Sequence, residues 1–197
     1  AITHYVALLS DIRQLKAQQR ELERLALYDA LTGLPNRIQL GQRMERSLAA
    51  MKAGAGTIAI AYVDLDGFKE INDRHGHEVG DGLLQTLAQR MRATLGPDDL
   101  VARLGGDEFL VILHGIQPGQ RELPLVQRML DELVQPVICN ALKLEITASI
   151  GVTFCSAGSG SHDPDQLLRL ADAAMYEAKG QGKNRYLLNP QIGRAHV

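Results

Sequence analysis

Val101-Ala-Arg-Leu-Gly-Gly-Asp-Glu-Phe-Leu-Val-Ile-Leu113 sets two glycines and two adjacent carboxylates between short apolar runs, the pattern of a tight turn joining two strands. A pair such as Asp107 and Glu108 at a turn tip repels itself unless a proton or a cation sits between its members. Gly105 and Gly106 remove the side chains that would keep a bulky ligand off the backbone. Two readings follow. One is an ordinary solvated hairpin turn, for which Gly and Asp are the commonest residues; the other is a metal and phosphate site. The hairpin alone does not separate them, and the flanking sequence has to.

Upstream, Thr57 to Val63 is an almost unbroken apolar run, as expected of a central strand buried on both faces, and it ends in Asp64 and Asp66. Open sheets of this kind place ligand sites at the carboxyl ends of their strands. Asp64 and Asp66 point to the same side only if the strand continues, so one acid is assigned to a metal and the other to capping the turn; Asp64 is the metal candidate. If the glycine hairpin pairs beside this strand, Asp107 and Glu108 approach Asp64. Three carboxylates then hold hard divalent cations, Mg2+ or Mn2+, through oxygen, with positions left open for phosphate oxygens. That is the two-metal logic of phosphoryl and nucleotidyl transfer.

The stretch Gly67-Phe-Lys-Glu-Ile-Asn-Asp-Arg-His-Gly-His-Glu-Val-Gly-Asp81 is dense in groups able to read a nucleotide. Asn72 and Asp81 suit a guanine edge, since an amide meets O6 or N3 and a carboxylate accepts from N1 and N2 together. Helix capping and turn formation use the same residue types and stay open as the alternative. Lys69 is placed to neutralise a polyphosphate or the charge growing at a reacting phosphorus. His75 and His77 bracket a glycine and read as turn and packing residues, because imidazole-preferring metals do not suit a site of carboxylates. Lys179 and Lys183 are spaced i, i+4, so two ammonium groups can meet one pyrophosphate-bearing face, or simply serve the helix C-terminus as dipole partners. Walker, Rossmann, nucleophile-elbow and zinc-finger spacings are absent from the sequence.

Helical spacing marks Ile38 to Lys52, Val79 to Leu95, Leu125 to Val134 and Leu167 to Ala178. Leu142 to Phe154 alternates with period two and predicts one long strand, interrupted or bent near Ser149 to Gly151. Residues 156–163, rich in Ser and Gly, predict a loop, and Tyr186 to Leu188 a terminal edge strand. This order of elements predicts an α+β, or mixed α/β, domain with one central sheet.

At 197 residues and 45% hydrophobic, the chain has room for one sizeable domain with an appendage. A net charge of -2 and 4% aromatic residues argue against a nucleic-acid partner. Cys139 and Cys155 are too few for a disulfide framework and fit a reducing cytoplasm. No apolar run approaches the roughly 18 to 20 residues of a membrane span, so no membrane contact is expected of this stretch. The chain begins at Ala1 without Met, which predicts a piece of something longer, free to carry an anchor elsewhere.

At the N-terminus, His4 to Leu9 is a strand-like apolar run, and from Asp11 the spacing becomes Ile12, Leu15, Gln19, Leu22 and Ala26, a coiled-coil seam. A helix of roughly 16 residues is too short to stand alone. It either pairs in parallel with a second copy or packs on its own domain. Gly33 and Pro35 then break the helix, and Asn36 is placed to cap the next. The expected organisation is a strand remnant and connecting helix over 1–28, a domain over 29–190, and a tail over 191–197.

Five ordered stretches together resemble the GGDEF family of diguanylate cyclases: Asp29 to Arg37, Asp64 to Asn72, Gly76 to Asp81, Arg103 to Phe109, and Ala174 to Asn184. The resemblance covers residues 28–189. It implies a fold similar to class III nucleotidyl cyclases and polymerase palms, a central, mainly antiparallel sheet flanked by helices. It also implies condensation of two GTP into cyclic di-GMP with release of two pyrophosphates. Carried over, Asp64, the carbonyl of Leu65, Asp107 and Glu108 resemble metal ligands for two Mg2+ or Mn2+ per active site. Gly105 and Gly106 clear space for the triphosphate; Asn72 and Asp81 resemble guanine contacts, Lys69 a transition-state stabiliser, and Lys179 and Lys183 phosphate contacts. Asp107 is also the family's proposed acceptor for the 3′-hydroxyl proton, with water the competing acceptor. Catalysis in this family needs a homodimer, since each domain binds one GTP.

Two departures stand out. Many relatives have Arg where this chain has Lys183, which keeps the charge but loses the bidentate fork. Many also carry Arg-x-x-Asp shortly before the glycines as a product-binding inhibitory site; here the four residues are Gly96-Pro-Asp-Asp99, so weak or absent inhibition of this kind is expected. Tyr5 to Arg13 resembles the closing strand and exit of a PAS sensor domain, which implies an upstream sensor. A phosphodiesterase domain of the EAL family can follow residue 197.

Overall fold

The apolar run that ends in two acids forms β1 (Thr57–Asp66), the middle strand of a five-stranded sheet. The computed structural model describes residues 2–54, 56–116, 123–157 and 163–189. On one side of β1 lies β3 (Glu108–Ile116), which continues through the glycine turn to the edge strand β2 (Leu100–Gly105). On its other side lies β6 (Thr147–Cys155), followed by the edge strand β7 (Arg185–Leu188). The order is β2-β3-β1-β6-β7, antiparallel throughout except for the parallel pair β6 and β7.

Because side chains alternate along a strand, β1 feeds two cores. Ala59, Ala61, Val63 and Leu65 pack with Leu83, Leu87 and Met91 of α4 (His77–Thr94) and Val126 and Leu130 of α5 (Pro124–Val134). Ile58 and Ile60 face the opposite way, toward Met44 and Leu48 of α2 (Arg37–Lys52) and Leu167 and Ala171 of α6 (Pro164–Gly180). This two-faced burial is what the unbroken apolar run predicts. Asn36 caps α2 as expected, its side chain accepting from the amides of Ile38 and Gln39.

Several expectations are corrected. The strand-like run His4 to Leu9 is helical, part of α1 (Ile2–Leu27), so the reading of Tyr5 to Arg13 as a closing strand does not hold in this structure. A short apolar run cannot be told from helix by periodicity, and here the helical seam that follows simply extends backward. The period-two run from Leu142 to Phe154 is two strands of different sheets: β5 (Leu142–Leu144) pairs with β4 (Val137–Cys139), and the break falls at Glu145 and Ile146.

Gly151 does not bend the strand. A Cβ there would lie 2.1 Å from the backbone of both Ala171 and Met175, so the glycine lets α6 lie directly on β6. The short α3 (Phe68–His75) and β4 carry too little periodicity to be predicted. The Ser- and Gly-rich loop falls mostly, and the tail over 191–197 wholly, outside the described residues. Among the described residues no helix is long and apolar enough to cross a membrane.

Candidate active site

Antiparallel register puts Asp64 directly opposite Glu108 on β3 and Ser149 on β6. The amide of Leu65 donates to the carbonyl of Asp107 at 3.3 Å, so the end of β1 is bonded to the hairpin tip. The turn needs its glycines: Gly105 and Gly106 have φ of 150° and 51°, a left-handed region costly for other residues. Sequence-distant acids are thereby gathered at one strand end.

Asp64 is buried, and Lys179, in the last turn of α6, places its Nζ 2.7 Å from Asp64 Oδ1. Burial raises the Asp64 pKa, and the ammonium opposes that rise while Asp107 and Asp66 add to it; the net direction is up. Burial, then the nearby Glu108 carboxylate, also raises the Tyr62 phenol, which leaves Tyr62 a neutral donor beside Glu108.

Asp66 has a different employment. Its carboxylate accepts from Thr147 Oγ1 at 2.7 Å, Ser149 Oγ at 2.8 Å and the amide of Asn184 at 3.3 Å. Asp66 is thus tied to β6 and to the corner after α6 rather than capping the turn that follows β1, while Asp64 is paired with Lys179. Lys183 lies in the turn that Asp66 holds, exposed, with φ of 62°.

Lys69, Asn72 and Asp81 sit on the helical pair α3 and α4. Lys69 is exposed in the first turn of α3, and Asp81 is exposed near the start of α4. Asn72 Oδ1 is buried without a hydrogen-bond partner, and a Cβ on Gly80 would lie 1.9 Å from it. Asn72 is therefore packed on the bare backbone of the residue before Asp81, which brings the two candidate guanine contacts to one place. His75 ends α3 and His77 begins α4, as turn residues do.

The described residues hold no ready cluster of three or more His, Cys, Asp or Glu at metal-holding distances. The donors nonetheless suit a hard divalent cation: carboxylates of Asp64, Asp107 and Glu108 with the Leu65 carbonyl are all oxygen. Asp64 already holds one cation, the Lys179 ammonium, which stands where positive charge is needed.

Sequence reasoning passed over Asp29 and Arg103 as site residues. The Arg103 guanidinium donates to the Gly106 carbonyl through Nε and Nη2 and to Asp29 Oδ1 through Nη1. Asp29 and Arg103 each open one of the five stretches that carry the resemblance, but their spacing gives no sign that they meet. Gly80, which makes room for Asn72, was equally unremarked.

The family profile described as "Diguanylate cyclase, GGDEF domain" matches residues 26–185. The chain belongs to this family. The GGDEF domain is 40% identical over 173 residues to the Pseudomonas aeruginosa protein named bifunctional diguanylate cyclase/cyclic di-GMP phosphodiesterase MucR, covering 87% of this chain and 25% of that one. The chain thus spans about a quarter of the length of that relative. Among solved structures it is similar to the GGDEF domain of TpbB (YfiN) from P. aeruginosa, with 36% identity and a TM-score of 0.77 over 82% of this chain and 94% of that one. It is also similar to the coiled coil and GGDEF domain of DgcB from Caulobacter crescentus in complex with c-di-GMP, with 27% identity and a TM-score of 0.79 over 94% and 97%.

At Gly96 to Asp99, the stretch compared with Arg-x-x-Asp in the sequence, the Asp99 carboxylate is hydrogen-bonded at both oxygens. Its Oδ2 accepts from the Gly96 amide at 3.0 Å and its Oδ1 from the His114 amide at 2.9 Å. Asp99 thereby closes its own loop and ties it to β3.

Proposed function

We propose that this GGDEF domain is a diguanylate cyclase, condensing two GTP into cyclic di-GMP with release of two pyrophosphates by attack of a 3′-hydroxyl on an α-phosphate. The observation that carries this reading is the buried Asp64 opposite Glu108 at the base of an intact glycine turn, with the Lys179 ammonium beside it.

Asp64, the Leu65 carbonyl, Asp107 and Glu108 would hold Mg2+ or Mn2+, two per site, which when bound polarises the α-phosphate and acidifies the attacking hydroxyl. Asn72 and Asp81 bind the guanine, and a carboxylate that accepts two donors disfavours adenine. Gly105 and Gly106 leave the turn backbone bare for the triphosphate. Lys179 and Lys183 orient the phosphates, and Lys69 opposes charge growing at phosphorus. Asp107 stands at the turn tip as acceptor for the hydroxyl proton.

One domain binds one nucleotide, so in-line attack requires the 3′-hydroxyl of a partner copy's GTP. The α1 seam supplies a means of pairing: Leu15 and Leu22 are 65% and 67% exposed, as residues awaiting a parallel partner helix are. In this reading residues 1–28 form a coiled-coil connector from an upstream sensor domain, the catalytic domain runs over 29–190, and residues 191–197 lead to whatever follows, an EAL domain included. The catalytic domain works in the cytoplasm, where GTP is found.

Incubating the dimeric protein with GTP and Mg2+ and identifying the product by mass spectrometry tests the reading, with Asp107→Ala as control. Cyclic di-GMP that disappears in the variant is expected. A verified dimer that binds GTP and makes no product would instead make this a regulatory nucleotide receptor.

A further inference from the structure

Two acids leave the end of β1, and each is bonded to a different part of the corner between α6 and β7. Asp64 holds Lys179 at the end of the helix, and Asp66 holds the amide of Asn184 in the turn that follows. That turn is conformationally costly. Gly182, Lys183 and Asn184 have φ of 111°, 62° and 48°, so two consecutive residues with side chains occupy the left-handed region. Each such residue costs roughly 1–2 kcal/mol, less for Asn than for Lys, unless its surroundings fix it.

Most bonds that fix the turn are its own. The Gly182 amide donates to Lys179 O, the Lys183 amide to Ala178 O, and Arg185 Nε to Lys183 O. The Asn184 amide is the group by which the turn is bonded to the end of β1, through Asp66; α6 holds it through the Ala178 and Lys179 carbonyls, and Arg185, which follows, pairs with Ser149 of β6. On either side of the bond to Asp66 the surface is open: Asn184 lines a cavity of about 300 Å³ with Val134 and Gln135, and Asp66 lines one of about 540 Å³ with the same two residues and Thr147. At Asn184 itself, beside this open surface, the carboxylate is the side chain that accepts from the backbone amide. Asp66 is itself held at both oxygens, by Thr147 Oγ1 on Oδ2 and by the fully buried Ser149 on Oδ1. Two hydroxyl donors from β6 fix an acceptor whose remaining capacity points at one amide.

We infer that Asp66 is a positioning residue that presents the Lys183 ammonium to the triphosphate by pinning the strained turn on which Lys183 sits. The inference rests on Lys183 meeting phosphate. Lys183 precedes the pinned amide, so its direction depends on that bond. A guanidinium would tolerate a looser turn, because its fork offers several donor directions; a single ammonium on a flexible stem depends more on where its backbone is anchored. Asp66 thus supplies order that the Lys at this position lacks.

A double-mutant cycle tests it, using Mg2+ and α,β-methylene GTP, which binds without turnover, in isothermal titration of the intact chain. Asp66→Ala removes the carboxylate and leaves the Asn184 amide without its acceptor. It is expected to weaken binding about tenfold in the wild-type background and less than twofold beside Lys183→Met. With GMP, which lacks the outer phosphates, the same substitution is expected to leave affinity unchanged. Equal weakening in both backgrounds would make Asp66 merely structural and overturn the inference. If Lys183→Met binds as well as wild type, the phosphate role of Lys183 falls, a separate result that removes the inference with it. Should Asp66→Ala melt early, Thr147→Val loosens the same carboxylate from β6 and is expected to give about threefold, again lost beside Lys183→Met.

Discussion

Arg103 and Asp29 are joined through a guanidinium Nη1 that lies 3.0 Å from the carboxylate Oδ1, both side chains being largely buried. The rest of the same guanidinium grips the Gly106 carbonyl at 2.8 and 3.0 Å, so one side chain ties the connector after α1 to the residue just before Asp107. The connector is equally well bonded to the helix. Asn36 donates from its side chain to Ala26 O and from its amide to Leu27 O, and the Arg103 amide donates to Pro35 O. A shift at the end of α1 therefore reaches the turn through bonded groups rather than through loose loop.

Arg103→Lys is expected to lower turnover at least tenfold while the Kd for GTP stays within about threefold. A lysine keeps the charge but cannot hold Asp29 and Gly106 together, and leaving Asp29 half-satisfied costs about 1–3 kcal/mol of stability. Steady-state kinetics beside GTP titration reads the split. Equal loss in both would mean that the clamp supports the whole domain and not the turn.

The clamp carries a pH signature. Burial pushes the Asp29 carboxyl up, but hydrogen bonds from Thr32 and the Arg103 guanidinium outweigh it and hold the pKa below its usual value. A carboxyl lowered in the folded state contributes stability above its unfolded pKa of about 3.9 and loses it as pH falls through the folded value. Urea unfolding of wild type and Asp29→Asn is expected to show a constant gap from about pH 7 to 5 that narrows below about pH 4. A gap that persists undiminished to about pH 3 would contradict this.

Gly80→Ala separates fold from recognition. Alanine is favoured over glycine inside a helix by about 1 kcal/mol, so helix propensity alone predicts a gain. The new Cβ, however, would meet Asn72 Oδ1 at 1.9 Å and force that side chain out of place. The expected result is a KM for GTP raised about tenfold, weaker preference for GTP over ATP, and a Tm lowered by only a few degrees at most. Unchanged KM would remove Asn72 from the guanine site.

What the sequence made legible follows a physical division. The central strand β1 and the glycine hairpin that pairs beside it could be read because strand periodicity and turn chemistry are local signals. Gly151 was misread as a bend because its reason lies in another element, the α6 backbone above it. The break at Glu145 was hidden because alternation continues across it from one sheet to the other. The Arg103 clamp and the Lys179–Asp64 pair span 74 and 115 positions of chain, and no local pattern encodes such contacts.

The α1 seam gives a prediction about assembly. With Leu15 and Leu22 exposed, Leu15→Glu with Leu22→Glu is expected to leave the Tm of the catalytic domain within a few degrees while converting a dimer to a monomer by light scattering. Turnover per chain should then become steeply dependent on protein concentration. A variant that stays dimeric would place the dimer contact elsewhere.

Product inhibition is the last prediction, and here geometry adds to what the missing arginine implies. Both oxygens of Asp99 are committed, one to the Gly96 amide and the other to the His114 amide. Cyclic di-GMP at sub-micromolar concentration is therefore expected not to inhibit. Asp99→Ala should lower stability by about 1–2 kcal/mol, because two amides lose their acceptor, and leave the dose-response unchanged. Restoring the arginine alone, as Gly96→Arg, is not expected to create the inhibitory site: a Cβ at that position lies 3.2 Å from Asp99 Oδ2, and the carboxylate is held in place by the two amides it accepts from. Sub-micromolar inhibition that Asp99→Ala abolishes would show that the carboxylate leaves its loop to bind product, and would reverse this reading.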